Sequence, residues 1–141
     1  MGEGNYRPQG AVTRQCHPYD DIDASDADMR SDAWFDLVEQ VRDAAGRSAS
    51  HVERDWRDRN ARIIARTGLH DITLYENGYG TVFISVWPRQ DLDVSTETLA
   101  TASLDRVSEA FFRRLSLVFD LYIATTAWTS ARWVPAQRRA A

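Results

Sequence analysis

The residues of this sequence that could do chemistry are few: His17, His51 and His70, the single Cys16, and Arg59. Cys16-His17 would suit a metal or an activated thiol. A metal site needs several ligands at set spacing, and His51 and His70 lie far off with no such spacing. The sequence therefore implies no metal and no cofactor. A general base needs a partner within hydrogen-bond reach and a pocket to work in. His51 and His70 each fall at the boundary of an expected element. His70-Asp71 is an adjacent pair in an expected strand, where neighbouring side chains point to opposite faces. No glycine-rich loop leads into a helix to cradle phosphate, because Asn77-Gly78-Tyr79-Gly80 joins two strands. The catalytic reading that survives is an unrecognised site near His70 and Arg59. It requires one concave pocket that holds both.

Binding chemistry has more residues behind it. Tyr75, Phe83, Trp87, Tyr122 and Trp128 fall on one face of the expected strands, with Trp133 as a further candidate. Large exposed aromatic patches mark interfaces, and Tyr and Trp are enriched among residues that carry binding energy. The competing reading is that a helix or the N-terminal segment covers this face. A second candidate is the acidic run Asp20, Asp21, Asp23, Asp26 and Asp28, an arm that could dock on a basic partner. A third is a set of arginines, Arg54, Arg57 and Arg62, that could contact nucleic acid. Glu53, Asp55 and Asp58 are interleaved with them, which favours a solvated, salt-bridged face. The net charge of -4 argues against a general nucleic-acid binder, whose affinity comes from neutralising phosphates.

These residues must be positioned by elements the pattern predicts. The clearest is a hairpin over Leu69 to Arg89. Ile72 and Leu74 alternate with polar neighbours, and Val82, Ile84 and Val86 do so beyond an Asn-Gly turn signal. A two-residue loop at Asn77-Gly78 would turn the two aliphatic sets to opposite faces. A three-residue loop Gly78-Tyr79-Gly80 pairs Leu74 with Ile84 and Ile72 with Val86, and Tyr75 with Phe83. The second register is expected. Pro88 ends the second strand.

Two helices are expected before the hairpin. The first spans Asp32 to Ala45, capped by Ser31 or Asp32, with Trp34, Leu37, Val38, Val41 and Ala45 on one face and Gly46 as its stop. The second spans His51 to Thr67, with Ser50 and Glu53 at capping-box spacing and Gly68 closing it. On that helix Val52, Trp56 and Ile63 form an apolar stripe with Arg59 inside it, paired with Asp55 four residues earlier. After the hairpin a long helix runs from Ser95 or Thr96 to about Phe119. Leu99, Val107, Ala110, Phe111, Leu115 and Val118 line its core side. Leu121 to Trp128 reads as a third strand, with Leu121 and Ile123 toward the helices.

The expected fold is thus α+β in the order ααββαβ, a small antiparallel sheet with helices packed on one face. Residues 1–30 read as a flexible acidic segment, 31–135 as one domain and 136–141 as a tail. Hydrophobic residues at 43% and charged residues at 27% suit an ordinary globular domain of 141 residues. The basic residues are all arginine, as a GC-rich coding sequence of a bacterium, or of its virus or plasmid, would give. No apolar run approaches a membrane span, no export leader opens the chain, and one cysteine cannot form an internal disulfide, so a cytoplasmic setting is expected. The leading functional expectation is a small, non-enzymatic binding or inhibitory protein of the accessory kind that mobile elements carry. It would act on a protein partner, or on itself, through the aromatic face or the acidic arm.

Overall fold

The computed structural model describes residues 10–23, 25–55 and 61–123, with positions 54 and 55 by backbone alone. The elements are β1 (Val12–Cys16), α1 (Ala27–Ala45), β2 (Ser50–Asp55), β3 (Ala61–Arg66), β4 (His70–Glu76), β5 (Val82–Pro88), α2 (Val94–Leu115) and β6 (Tyr122–Ile123). The strands form one antiparallel sheet in the order β2-β3-β4-β5-β1-β6. The fold is α+β, as expected, with both helices on one face. The order ααββαβ is not what is found: one helix precedes the hairpin strands, and a second hairpin stands where a second helix was expected.

The β4–β5 hairpin adopts the three-residue loop. Leu74 lies opposite Ile84, Ile72 opposite Val86 and Tyr75 opposite Phe83. Asn77 N donates to Thr81 O at 3.1 Å, and Gly78 and Gly80 take positive φ, which side chains with a Cβ disfavour. The Asn77 side chain closes the loop from inside, its Oδ1 accepting from Tyr79 N and Thr81 N.

The segment expected as a second helix is instead β2 and β3. The reason lies in two bulges. On β3, Ile63 pairs with Thr73 and Ala65 with Ile72, which leaves Ile64 as an extra residue. On β2 the register shifts between His51 and Arg54. A bulge interrupts strict alternation, so Ile63 and Ile64 face opposite sides while Ala65 joins Ile64. The bulges hid the strand alternation, and the stripe that suggested a helix joined Val52 of β2 to Ile63 of β3 through Trp56, which lies outside the described residues. The bulged backbone is still satisfied: Arg42 of α1 donates from Nη2 to Val52 O at 3.1 Å and from Nε to Ile64 O at 3.5 Å. Gly68 is not a helix stop but part of the β3–β4 turn. There Thr67 Oγ1 accepts from His70 N at 2.9 Å, and Thr67 N donates to His70 O at 2.8 Å.

Within the first thirty residues, Val12–Cys16 is a strand paired between β5 and β6, and α1 begins at Ala27. The alternation that places it is short: Val12 and Cys16 reach the helix-covered core, and Thr13 is buried on the other face. Asp26, not Ser31 or Asp32, caps α1, its carboxylate accepting from Met29 N at 3.0 Å. Asp93 caps α2 in the same way through Thr96 N at 2.8 Å.

The main core lies between the helices and one sheet face. Leu37, Val38, Val41 and Ala44 of α1 and Leu104, Phe111, Phe112 and Leu115 of α2 pack on Ile64, Ile72, Leu74, Val82, Ile84 and Val86. The buried stripe of α2 runs Ala100, Leu104, Ser108, Phe111, Leu115, so Leu99 and Val118, expected in the core, stand exposed. Arg114 ties the helices together, its Nε donating to the Ala44 carbonyl at the C-terminal end of α1 at 2.7 Å.

Candidate functional site

The opposite face of the sheet carries the expected aromatic set. Register places Gln15, Phe83, Tyr75 and Ala61 in one row across the strands, and Thr13, Ser85, Thr73 and Ile63 in the next. Tyr75 and Phe83 lie with ring centroids 6.2 Å apart. Tyr75, Phe83 and Trp87 are 8%, 4% and 5% exposed, and with Ala61 and Ile63 they make a second buried cluster. These three are therefore not an open platform. Tyr122 shares their face and is half exposed, its ring centroid 5.5 Å from that of His17. Trp128 and Trp133 lie outside the described residues.

This second face is polar as well as aromatic. Trp87 Nε1 donates to Thr73 Oγ1 at 2.9 Å, and the hydroxyls of Thr13 and Ser85 meet at 2.8 Å. Asp71, 1% exposed, takes a two-pronged contact from Arg66, at 2.6 Å from Nε and 3.0 Å from Nη2. Hydrogen bonding to Asp71 raises the Arg66 pKa. The network continues through Asp91, which Arg89 grips at 2.8 Å and 3.0 Å. Those bonds hold the Asp91 carboxyl down at about 2. Every charge here has a structural partner.

The other sequence candidates separate. His70 and Asp71 point to opposite faces, as adjacent strand residues must. The His70 ring is buried on the helix side, its Nε2 2.9 Å from Ala100 O, where it ties β4 to α2. Arg59, its expected companion, lies outside the described residues. So does Arg57. Arg54 lies opposite Ile63 on β2 and Arg62 opposite Asp55 on β3, so these two sit on neighbouring strands and not on the helix that was expected to carry them. Cys16 is buried, and burial pushes its thiol up to about 12, far from a reactive thiolate. Among the described residues, no group of three or more His, Cys, Asp or Glu gathers to hold a metal, and no helix is long and apolar enough to cross a membrane.

One site was not anticipated. A cleft of about 610 Å³ opens beside the N-terminal half of α1, lined by the aromatics Tyr19, Trp34 and Phe35 and by the charged residues Arg30, Glu53, Arg62 and Glu76. Trp34 is partly buried on the main core, whereas Phe35 is 61% exposed. Inside the cleft, Glu76 organises two neighbours: Tyr19 Oη donates to its Oε1 at 3.3 Å, and Arg30 Nη2 lies 3.6 Å from its Oε2. Arg30 also sits over the Tyr19 ring, 5.2 Å from its centroid. Burial first, and then the Glu76 carboxylate, push the Tyr19 phenol up to about 12, so it stays a neutral donor. Glu53 is held by Arg42 at 3.7 Å. Gly78 reaches the cleft from the β4–β5 loop, and the adjacent Tyr79 is almost fully exposed. The sequence carried a signal for this site: Phe35 falls off the apolar stripe of α1, and a large aromatic outside the stripe must face something other than the core. Comparison with protein-family models, with curated proteins and with solved structures finds no match to the chain.

Proposed function

We propose that this is a non-enzymatic binding protein that engages a protein partner through the cleft beside α1. One observation carries the reading. Phe35 stands largely in solvent at a cleft whose other aromatic walls, Tyr19 and Trp34, are partly buried. An exposed aromatic at a pre-formed hollow is the arrangement that binding hot spots use, because burying it there removes apolar area from water with little reorganisation. The histidine, cysteine and buried aspartate elsewhere are taken up by packing and structural hydrogen bonds. The aromatic sheet face enters this reading as core, with Tyr122 as its exposed member among the described residues.

The test is site-specific photocrosslinking in the native host. A benzoylphenylalanine is introduced at Phe35 and, separately, at Leu99 of α2, which is equally exposed at 61%. A discrete protein adduct from position 35 and none from position 99 is expected. Equal labelling at both positions, or no adduct at position 35, would remove the cleft from consideration.

A further inference from the structure

The chain segment that supplies the aromatic lining of the cleft is strongly acidic. The twenty residues from His17 to Asp36, which supply the Tyr19, Trp34 and Phe35 walls, hold seven aspartates: Asp20, Asp21, Asp23, Asp26, Asp28, Asp32 and Asp36. Arg30 is the only arginine among them, so this stretch carries -6 against -4 for the whole chain, and the rest of the molecule is net basic. The acidity is therefore concentrated in the segment that supplies the aromatic lining, while the charged residues that line the cleft itself, Arg30, Arg62, Glu53 and Glu76, balance. Two of the seven have structural work: Asp26 caps α1, and Asp23 accepts from Ser25 N and Oγ. Asp20, Asp21, Asp28, Asp32 and Asp36 are exposed, and among the described residues none of them is in an ion pair. Arg30 does not offset them, because it is turned onto Glu76 and the Tyr19 ring.

We infer that the partner presents a basic segment bearing an apolar or aromatic anchor to this cleft, an inference that rests on the binding reading above. The anchor buries against Phe35 and Trp34 and supplies affinity. The flanking arginines or lysines meet the exposed aspartates, which speed encounter and reject acidic competitors. The same exposed aspartates disfavour nucleic acid and anionic lipid as the occupant.

The test uses the full chain and fluorescence anisotropy with a labelled peptide that alternates arginine with leucine and tryptophan. Its counterpart has every arginine replaced by glutamate. The wild type should bind the arginine peptide, with affinity that falls as NaCl rises. Phe35→Ala should weaken binding at least about tenfold. The combined Asp20→Asn, Asp21→Asn, Asp28→Asn and Asp32→Asn variant should do the same while keeping its circular dichroism spectrum. Asp105→Asn with Glu109→Gln, acids on the outer side of α2, should change it less than about twofold. Equal binding of the glutamate peptide, or a flat salt response of the wild type, overturns the inference without any variant. Specific crosslinking at Phe35 together with charge-insensitive peptide binding would keep the cleft as a binding site and end the basic partner. Concentration-dependent dimerisation by light scattering, lost in Phe35→Ala, would assign the cleft to a second copy and likewise overturn it.

Discussion

The two faces of the sheet are both buried, yet they are built on different chemistry. The face under the helices is aliphatic. Ile72, Leu74, Val82, Ile84 and Val86 meet Leu37, Val41 and Phe111 with no side-chain hydrogen bond among them. The other face sets Tyr75, Phe83 and Trp87 among Thr13, Thr73, Ser85 and Asp71, and these four are bonded to one another, to Trp87 or to Arg66. Gln15 Oε1 is the one buried side-chain polar atom without a partner among the described residues. Hydrophobic burial is non-directional, so an aliphatic face specifies that something must pack there and little about what. Buried hydrogen bonds are directional and costly when unmade, so the second face holds its rows in one register. The comparison teaches that aromatic enrichment on a strand face is not by itself a sign of an interface. Where the same rows carry hydroxyls and a paired carboxylate, the aromatics belong to a polar core.

The sharpest way to break the comparison is to remove the centre of the aliphatic core. Phe111→Ala should cost about 3–5 kcal/mol in urea unfolding, the range for emptying a fully buried aromatic site. A cost no greater than that of an exposed-site change such as Leu99→Ala would mean that the helices do not form the main core.

Asp71→Ala probes the polar face. The loss of one partner of a buried ion pair ordinarily costs 3–5 kcal/mol, but Arg66 keeps some solvent contact and Asp91 at 3.9 Å. About 2–4 kcal/mol is therefore expected. Asp71→Asn should recover part of it, because a carboxamide oxygen still accepts from Arg66. If Asn and Ala cost the same, the directional argument for this face fails.

The smallest effect lies at the exposed end of the same network. The Asp91 pKa is depressed in the folded protein, to about 2, so its contribution is present above the unfolded carboxylate value and is lost as pH falls through the folded one. Asp91 is half exposed, and its bonds to Arg89 should be worth less than about 1 kcal/mol. Asp91→Asn should lower the urea midpoint slightly at about pH 6, and the difference from wild type should vanish toward pH ~2. A difference that persists there would assign the effect to packing.

Legibility in the sequence followed the regularity of each segment. The β4–β5 hairpin was readable to the residue pair, because unbroken alternation and a glycine-flanked loop leave one register that buries both aliphatic sets. The β2–β3 pair was not, because its bulges break period two, while Val52 and Ile63, on different strands, happen to fall at helical spacing. Ser50 and Glu53 then supplied a false capping box, and Gly68 a false stop. The helix-facing side of the sheet was legible from Ile84 and Leu74. The fate of Tyr75, Phe83 and Trp87 was not, since a strand's pattern says which residues share a face and says nothing of whether that face is covered.

By itself, the sequence determined the local quantities: the α+β class, the register of the central hairpin, the approximate place of both helices, and the concentration of acid before and within α1. Each depends on residues close together in the chain, whose periodicity and turn chemistry act over a few positions. Only the tertiary structure decided that Val12–Cys16 enters the sheet beside β5, that the aromatic face is core, and that Tyr19, Phe35 and Glu76 share one cleft. Those are contacts between segments tens of residues apart. They are chosen by which apolar surface remains to be covered and which strand edge remains to be paired once the local elements exist.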